Sequence, residues 1–144
     1  MKIKFTINKI FPKAKDVGKR EWGKETLLAL ISKKISLKKI KILKGKKGGL
    51  QYHHKKNECG YVISGKLKIK FDLGNKKLRS KIISAGDTFH FPPGLVHQEE
   101  ALTTCEIIEA STPHFNDRVR VEEKYGFEKQ EGLSSTLKKN VIIK

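Results

Sequence analysis

Little in this chain is available to cross-link it. Two cysteines, Cys59 and Cys105, stand among 144 residues. Two thiols make no disulfide framework, so both are read as reduced and the expected setting is cytoplasmic. No apolar run is long enough to cross a bilayer, so no membrane partner is expected. The stretch MKIKFTINKIF at 1–11 alternates charged and apolar residues, and no secretory signal is expected there. Arginine is scarce as well. Of 32 basic residues, Arg20, Arg79, Arg118 and Arg120 are the arginines and the rest are lysine. Base-edge and phosphate-fork recognition favours arginine, and the lysines are scattered rather than gathered in one helix or tail. The net charge of +17 is therefore read as a solvated lysine surface, with no nucleic-acid partner. Such a field still attracts a small anion, an anionic sugar for example. No repeat stands out, and GKKGG at 45–49 lacks the frame of a phosphate-binding P-loop.

What is present is a series of short alternating segments with Gly, Pro and Asn between them. Met1 to Phe11 reads as a strand and as a plausible pairing edge. Lys13 to Lys24 reads as a loop, with Trp22 either a packing plug or a wall of a substrate mouth. Glu25 to Lys33 and Ile35 to Ile42 read as strands, the second with a register break near Lys38 and Lys39. Leu50 to His54, Glu58 to Ser64, Lys66 to Phe71, Leu78 to Ile83, Thr88 to Phe91, Val96 to Glu99 and Thr103 to Ala110 follow. Short strands at such spacing predict an all-β sandwich or barrel. After Ala110 the chain turns polar, with a weak helical signal over Arg118 to Lys124. A length of 144 residues suits one domain with a core that needs no metal or disulfide.

Chemistry gathers between Gly48 and Gly65, where Gln51, His53, His54 and Glu58 fall within eight residues. Imidazole nitrogen and carboxylate oxygen suit a borderline divalent metal. Side chains alternate faces along a strand, so Gln51 and His53 share one face and His54 points the other way. By the same parity Cys59 faces away from Glu58 and is read as an apolar filler, as is Cys105. A further ligand must come from a distant strand.

Two motifs supply it through a resemblance. Glu58, six residues and Gly65 match the end of the first motif of the cupin superfamily. Gly86, Pro92, Gly94 and His97 match the second, G-x5-P-x-G-x2-H, at every position; Ala101 stands where the motif usually ends in Asn. The chain thus resembles a small single-domain cupin, a double-stranded β-helix or jelly-roll barrel. The implied layout is an N-terminal strand and loop at 1–19, the barrel at 20–112 and a C-terminal extension at 113–144. The resemblance implies Gln51, His53, Glu58 and His97 as ligands of a divalent metal (Zn, Mn, Fe or Ni), with His54 the alternative to His53. The LQYHH run before Glu58 is similar to the Gln-x-His motif of cupin-type phosphomannose isomerases. That similarity implies an isomerase or epimerase acting on a sugar phosphate or nucleotide sugar, and a homodimer. His90, two residues before Pro92, is the first candidate for a catalytic base; His54, His114 and Glu99 are others. An Fe(II)-dependent dioxygenase and a non-catalytic small-molecule-binding cupin stay open as alternatives.

Overall fold

The computed structural model of the protein describes residues 1–3, 5, 15–121 and 130–133. Most of the segment 1–11 expected to form an edge strand, and most of the segment 127–144, lie outside the described residues.

Alternation decides which residues go inside. On β3 (Ile35–Ile42), Ser36, Lys38, Ile40 and Ile42 are buried, while Lys39 and Lys41 are exposed. On β10 (Cys105–Ser111), Cys105, Ile107, Glu109 and Ser111 are buried. The two strands pair antiparallel, setting Cys105 against Ile42, Ile107 against Ile40, Glu109 against Lys38 and Ser111 against Ser36. Inward residues therefore run from apolar to charged along the barrel, in step on neighbouring strands.

The remaining strands are β1 (Lys15–Arg20), β2 (Gly23–Ile31), β4 (Gln51–His53), β5 (Glu58–Ser64), β6 (Lys66–Asp72), β7 (Leu78–Ser84), β8 (Thr88–Phe91), β9 (Val96–Ala101), β11 (Arg118–Arg120) and β12 (Gln130–Leu133). They form two six-stranded antiparallel sheets, in the orders β1-β2-β3-β10-β5-β8 and β12-β11-β4-β9-β6-β7. The described residues contain no helix, and none is long and apolar enough to cross a membrane. Between the sheets Val62, Leu67 and Ile107 are fully buried among Ile40, Ile42 and Ile69, each worth roughly 1.5–3 kcal/mol of transfer energy.

Three local expectations change. Lys15–Arg20, read as loop, is a strand that pairs with β2. Arg118–Arg120, read as weakly helical, pairs with β4 as a strand. The register break lies on β2, between Leu27 and Ala29, and β3 runs on through Lys38 and Lys39. In each case pairing with a neighbouring strand outweighs local propensity.

Candidate metal centre

The turn of the second motif is tied to the strand of the first. Gly94, at φ +84°, donates its N–H to the His53 carbonyl at 2.8 Å. A positive φ suits glycine there, because a Cβ crowds the left-handed region. Beyond the turn, β9 sets His97 opposite Gln51 of β4 and opposite Phe71 of β6. Two motifs far apart in sequence thus meet at one point of the barrel.

His53, Glu58 and His97 converge there, all buried. Glu58 Oε1 lies 3.4 Å from His97 Nε2 and 3.8 Å from His53 Nε2. One ligand atom from each residue lies within 4.8 Å of the others, and this is the one such group found among the described residues. Ligands about 2.1 Å from a common ion lie roughly 3.0–3.5 Å apart at octahedral or tetrahedral angles; Glu58 and His97 stand at that separation and His53 lies just beyond it, so a small inward shift of His53 would let the three hold a divalent ion.

Both imidazoles are oriented by what their far nitrogens hold. His97 Nδ1 lies 2.9 Å from the Leu95 carbonyl, which can only accept, so Nδ1 carries the proton. His53 Nδ1 lies 3.1 Å from Asp117 Oδ1. In each ring the Nε2 lone pair is left facing Glu58. Burial, then the Lys56 ammonium, lowers the His53 pKa to about 4, so the ring is neutral and ligand-ready at ordinary pH. Burial disfavours the Asp117 carboxylate, but the backbone N–H groups of Lys55 and Lys56, both 2.7 Å from Oδ2, outweigh it and hold its pKa below the usual value.

Sequence spacing did not reveal Asp117, because it reaches His53 from 64 residues away. It did not reveal the charges behind Glu58 either. The Lys56 ammonium lies 2.5 Å from Glu58 Oε2 and 3.1 Å from Glu109 Oε1. Burial opposes both the Lys56 and the Glu58 charge, yet Glu109 and then Glu58 raise the Lys56 pKa, and Lys56 holds Glu58 well below the carboxylate range. Deeper along β3, the buried Lys38 ammonium meets Glu25 Oε1 at 3.4 Å and lies 4.9 Å from the centre of the Phe115 ring. For Lys56 and Lys38 a signal was available, since each shares parity with a residue that faces inward.

One ammonium cannot neutralise two carboxylates, and Glu109 is the one left over. Burial and the Glu58 charge push its pKa up to about 7 against the pull of Lys56. The unfolded chain releases that proton near the ordinary value of 4.5. Glu109 therefore contributes stability that is complete below pH 4.5 and is lost as pH rises through 7. Relative to Glu109→Gln, the wild type is expected to lose up to about 3 kcal/mol between pH 4.5 and pH 8. Urea unfolding of both proteins across that range checks this, and parallel curves would remove the assignment.

The site opens into a cavity of about 100 Å³. Its floor is the buried set above, together with Ile40 and Ile42. Its rim is the partly exposed Arg20, Trp22, Gly48, Gly49, Gln51 and Arg118. Trp22 is at once packed on the core and part of the rim. Gln51 reaches the cavity, but its Oε1 accepts from Arg118 Nη1 at 3.2 Å. Glu99 also lines it; Oε1 is enclosed without a hydrogen-bond partner, and burial, then Glu109 and Glu58, raises its pKa well above the usual range. Gln98 turns away and donates to the Gly48 carbonyl at 2.8 Å.

Other sequence candidates lie outside this cavity. His90, expected to line the barrel, is exposed, with Nε2 2.7 Å from Asn57 Oδ1. It pairs with Cys59 of β5, and both take the outer face because Glu58 and Phe91 beside them face inward. Cys59 is accordingly exposed rather than a buried filler, while Cys105 is buried as expected. His54 is exposed and edge-on to Tyr52. His114 is exposed beside Thr112.

A family model described as Cupin domain matches residues 39–111, half of the chain. The germin-like protein subfamily T member 3 of Arabidopsis thaliana is 36% identical over 76 residues, covering 51% of this chain and 34% of that protein. The capsular polysaccharide assembling protein CapF from Staphylococcus aureus superposes with a TM-score of 0.63 at 21% identity, covering 72% of this chain and 32% of CapF. The oxalate decarboxylase of Bacillus subtilis, a protein with Mn(II) centres, superposes with a TM-score of 0.60 at 20% identity, covering 73% of this chain and 29% of the enzyme. The chain spans about a third of the length of each of these proteins. At these identities the two solved structures share its fold.

Proposed function

The chain belongs to the cupin domain family, and on that basis we propose that it is a metal-dependent enzyme for a small polar substrate. The substrate class we favour is a sugar phosphate or nucleotide sugar, and the reaction an isomerisation or epimerisation. The strongest support is the pair of histidines whose Nδ1 atoms are already engaged and whose Nε2 atoms face one oxygen of Glu58. His53, Glu58 and His97 would hold the ion, with Gln51 completing the set once its amide turns from Arg118. A divalent ion there, Zn, Mn, Fe or Ni, supplies Lewis-acid polarisation of a carbonyl or of adjacent hydroxyls.

The protein's own part is to orient the substrate and to move a proton. Trp22, Ile40 and Ile42 give the cavity apolar walls against which a carbon skeleton can lie. Glu99 replaces His90 as the proton carrier we propose. Its carboxyl faces the cavity, and burial, then Glu109 and Glu58, raises its pKa above the usual range, which favours a carboxyl that can hold a proton.

The test combines metal analysis with turnover. The purified protein is expected to carry about one divalent ion per chain. Turnover within a panel of sugar phosphates and nucleotide sugars is expected to stop on chelation and return with added metal. Glu99→Gln is expected to lower kcat by roughly a hundredfold or more while leaving metal content unchanged. No turnover across the panel would sink the isomerase reading. Substrate-dependent oxygen uptake with Fe(II) would replace it with a dioxygenase.

A further inference from the structure

Three of the four arginines of this chain come together at one edge of the cavity. Arg20 and Arg118 line it, and Arg120 lies against Gly49 of the rim, where a Cβ would stand 2.9 Å from its Nε. The fourth, Arg79, is exposed on β7. Everywhere else the basic surface is built from lysine. Guanidinium differs from ammonium in its planar fork, which matches two oxygens of one carboxylate or phosphate. A chain that uses lysine for general charge has thus placed guanidinium groups where a substrate would enter.

The Arg20 Nη2 atom is 4.0 Å from Glu25 Oε2, and the other oxygen of Glu25 meets the Lys38 ammonium. Arg118 spends Nη1 on the neutral Gln51 amide, and its Nε is enclosed without a hydrogen-bond partner. Burial, and then Arg20 and Arg120, hold the Arg118 pKa below the usual guanidinium range. An anion at this edge would relieve the repulsion that Arg20 and Arg120 exert on Arg118 and give Arg118 an acceptor.

We infer that Arg20 and Arg118 clamp an oxyanion group of the substrate, a carboxylate or a phosphate, at the rim of the cavity. Arg120 adds to the field from behind Gly49. The cavity of about 100 Å³ admits the reacting end of such a molecule, and the anionic group stays at the edge. This inference rests on the small-molecule site proposed above and names the group by which that site selects its substrate.

Trp22 is the single tryptophan and part of the same rim, so its emission reports on the site. The experiment titrates metal-free wild-type protein with inorganic phosphate and, separately, with acetate, at constant ionic strength maintained with chloride. A saturable change in Trp22 fluorescence with either anion is expected. Response to phosphate alone marks a phosphate-bearing substrate, and response to acetate alone marks a carboxylate. Arg118→Gln and Arg20→Gln are each expected to weaken binding roughly tenfold or more, the equivalent of one charge-assisted hydrogen bond. Arg79→Gln is expected to bind as the wild type does. Should Arg118→Gln fail to fold, Arg20→Gln at the partly exposed end of β1 carries the test.

No saturable response to either anion, or wild-type binding by both variants, overturns the clamp. Metal uptake by the wild type, measured on separate samples, keeps the two proposals apart. Intact uptake without anion binding overturns the clamp alone. Anion binding without uptake leaves the clamp standing and removes the metal-dependent reading.

Discussion

His97→Ala is expected to lose divalent-metal uptake while the barrel stays folded. His97 presents Nε2 to the oxygen of Glu58 that His53 also faces, and the inward-facing side chains near it offer no second imidazole besides His53. Apparent binding energies of structural zinc sites run to about 10–16 kcal/mol over four ligands. One imidazole then accounts for about 3 kcal/mol or more, a loss of at least roughly a hundredfold in affinity. The variant also loses the stacking of the ring on Phe91, whose centroid is 4.0 Å away. That deletion costs about 2–3 kcal/mol by analogy with other buried truncations. The ring meets the apolar cluster of Val62, Leu67 and Ile107 through Phe91, and the rest of that cluster stays in place, so the fold is expected to survive. Titration of metal into chelator-stripped protein, beside circular dichroism and a thermal melt, measures both effects. His54→Ala, one residue from His53 but on the exposed face, is expected to bind metal normally. Full metal occupancy in His97→Ala would falsify the ligand set.

The second large effect concerns the ammonium behind the site. Lys56→Met is expected to destabilise the metal-free protein by about 3–5 kcal/mol, because it strands two buried carboxylates without their cation. Glu58 and Glu109 are each about as buried as Lys56 itself, so water cannot take over the role of the ammonium. The cost is expected to shrink as pH falls, since protonation neutralises the stranded pair. It is also expected to shrink when metal is added, because an ion held by Glu58 replaces part of the lost charge and binds the folded state alone. Urea unfolding in chelator at pH 5 and pH 8, and at pH 8 with metal, gives all three comparisons. A variant within about 1 kcal/mol of wild type in chelator at pH 8 would show that the Lys56–Glu58–Glu109 contacts do not hold the carboxylates as described.

Lys56 also bears on the geometry of the metal centre. By holding Glu58 Oε2 it leaves Oε1 to the histidines. The carboxylate is thereby turned to offer one oxygen rather than two. The same ammonium helps keep His53 neutral, so two ligands are prepared by one residue that binds no metal itself.

Much of this was legible in the residues. Alternation and punctuating turns give an all-β chain because a strand has period two and a turn needs Gly, Pro or Asn. The spacing from Gly86 to His97 pairs with the spacing from Glu58 to Gly65, and parity separates His53 from His54. What misled was His90, whose inward placement was judged from its distance to Pro92. Its face is set instead by the pairing of Cys59 with His90 beside Glu58 with Phe91. Lys38 misled in a different way. The apolar residues change parity between Ile35, Leu37 and Ile40, Ile42, so a register break was expected near it; the ammonium is instead buried in register, among carboxylates that come from β2 and β10.

The sequence by itself therefore determined the fold, the two motifs and that only one of two adjacent histidines can face inward, because each depends on local spacing; the structure decided that it is His53. The tertiary structure alone decided the partners: Asp117 for His53, Glu109 and Glu58 for Lys56, Glu25 for Lys38, and three arginines around one cavity. Lys38 and Glu25 are 13 residues apart, Lys56 and Glu109 are 53 apart and His53 and Asp117 are 64 apart, and strand register, which no single segment carries, sets which side chains meet.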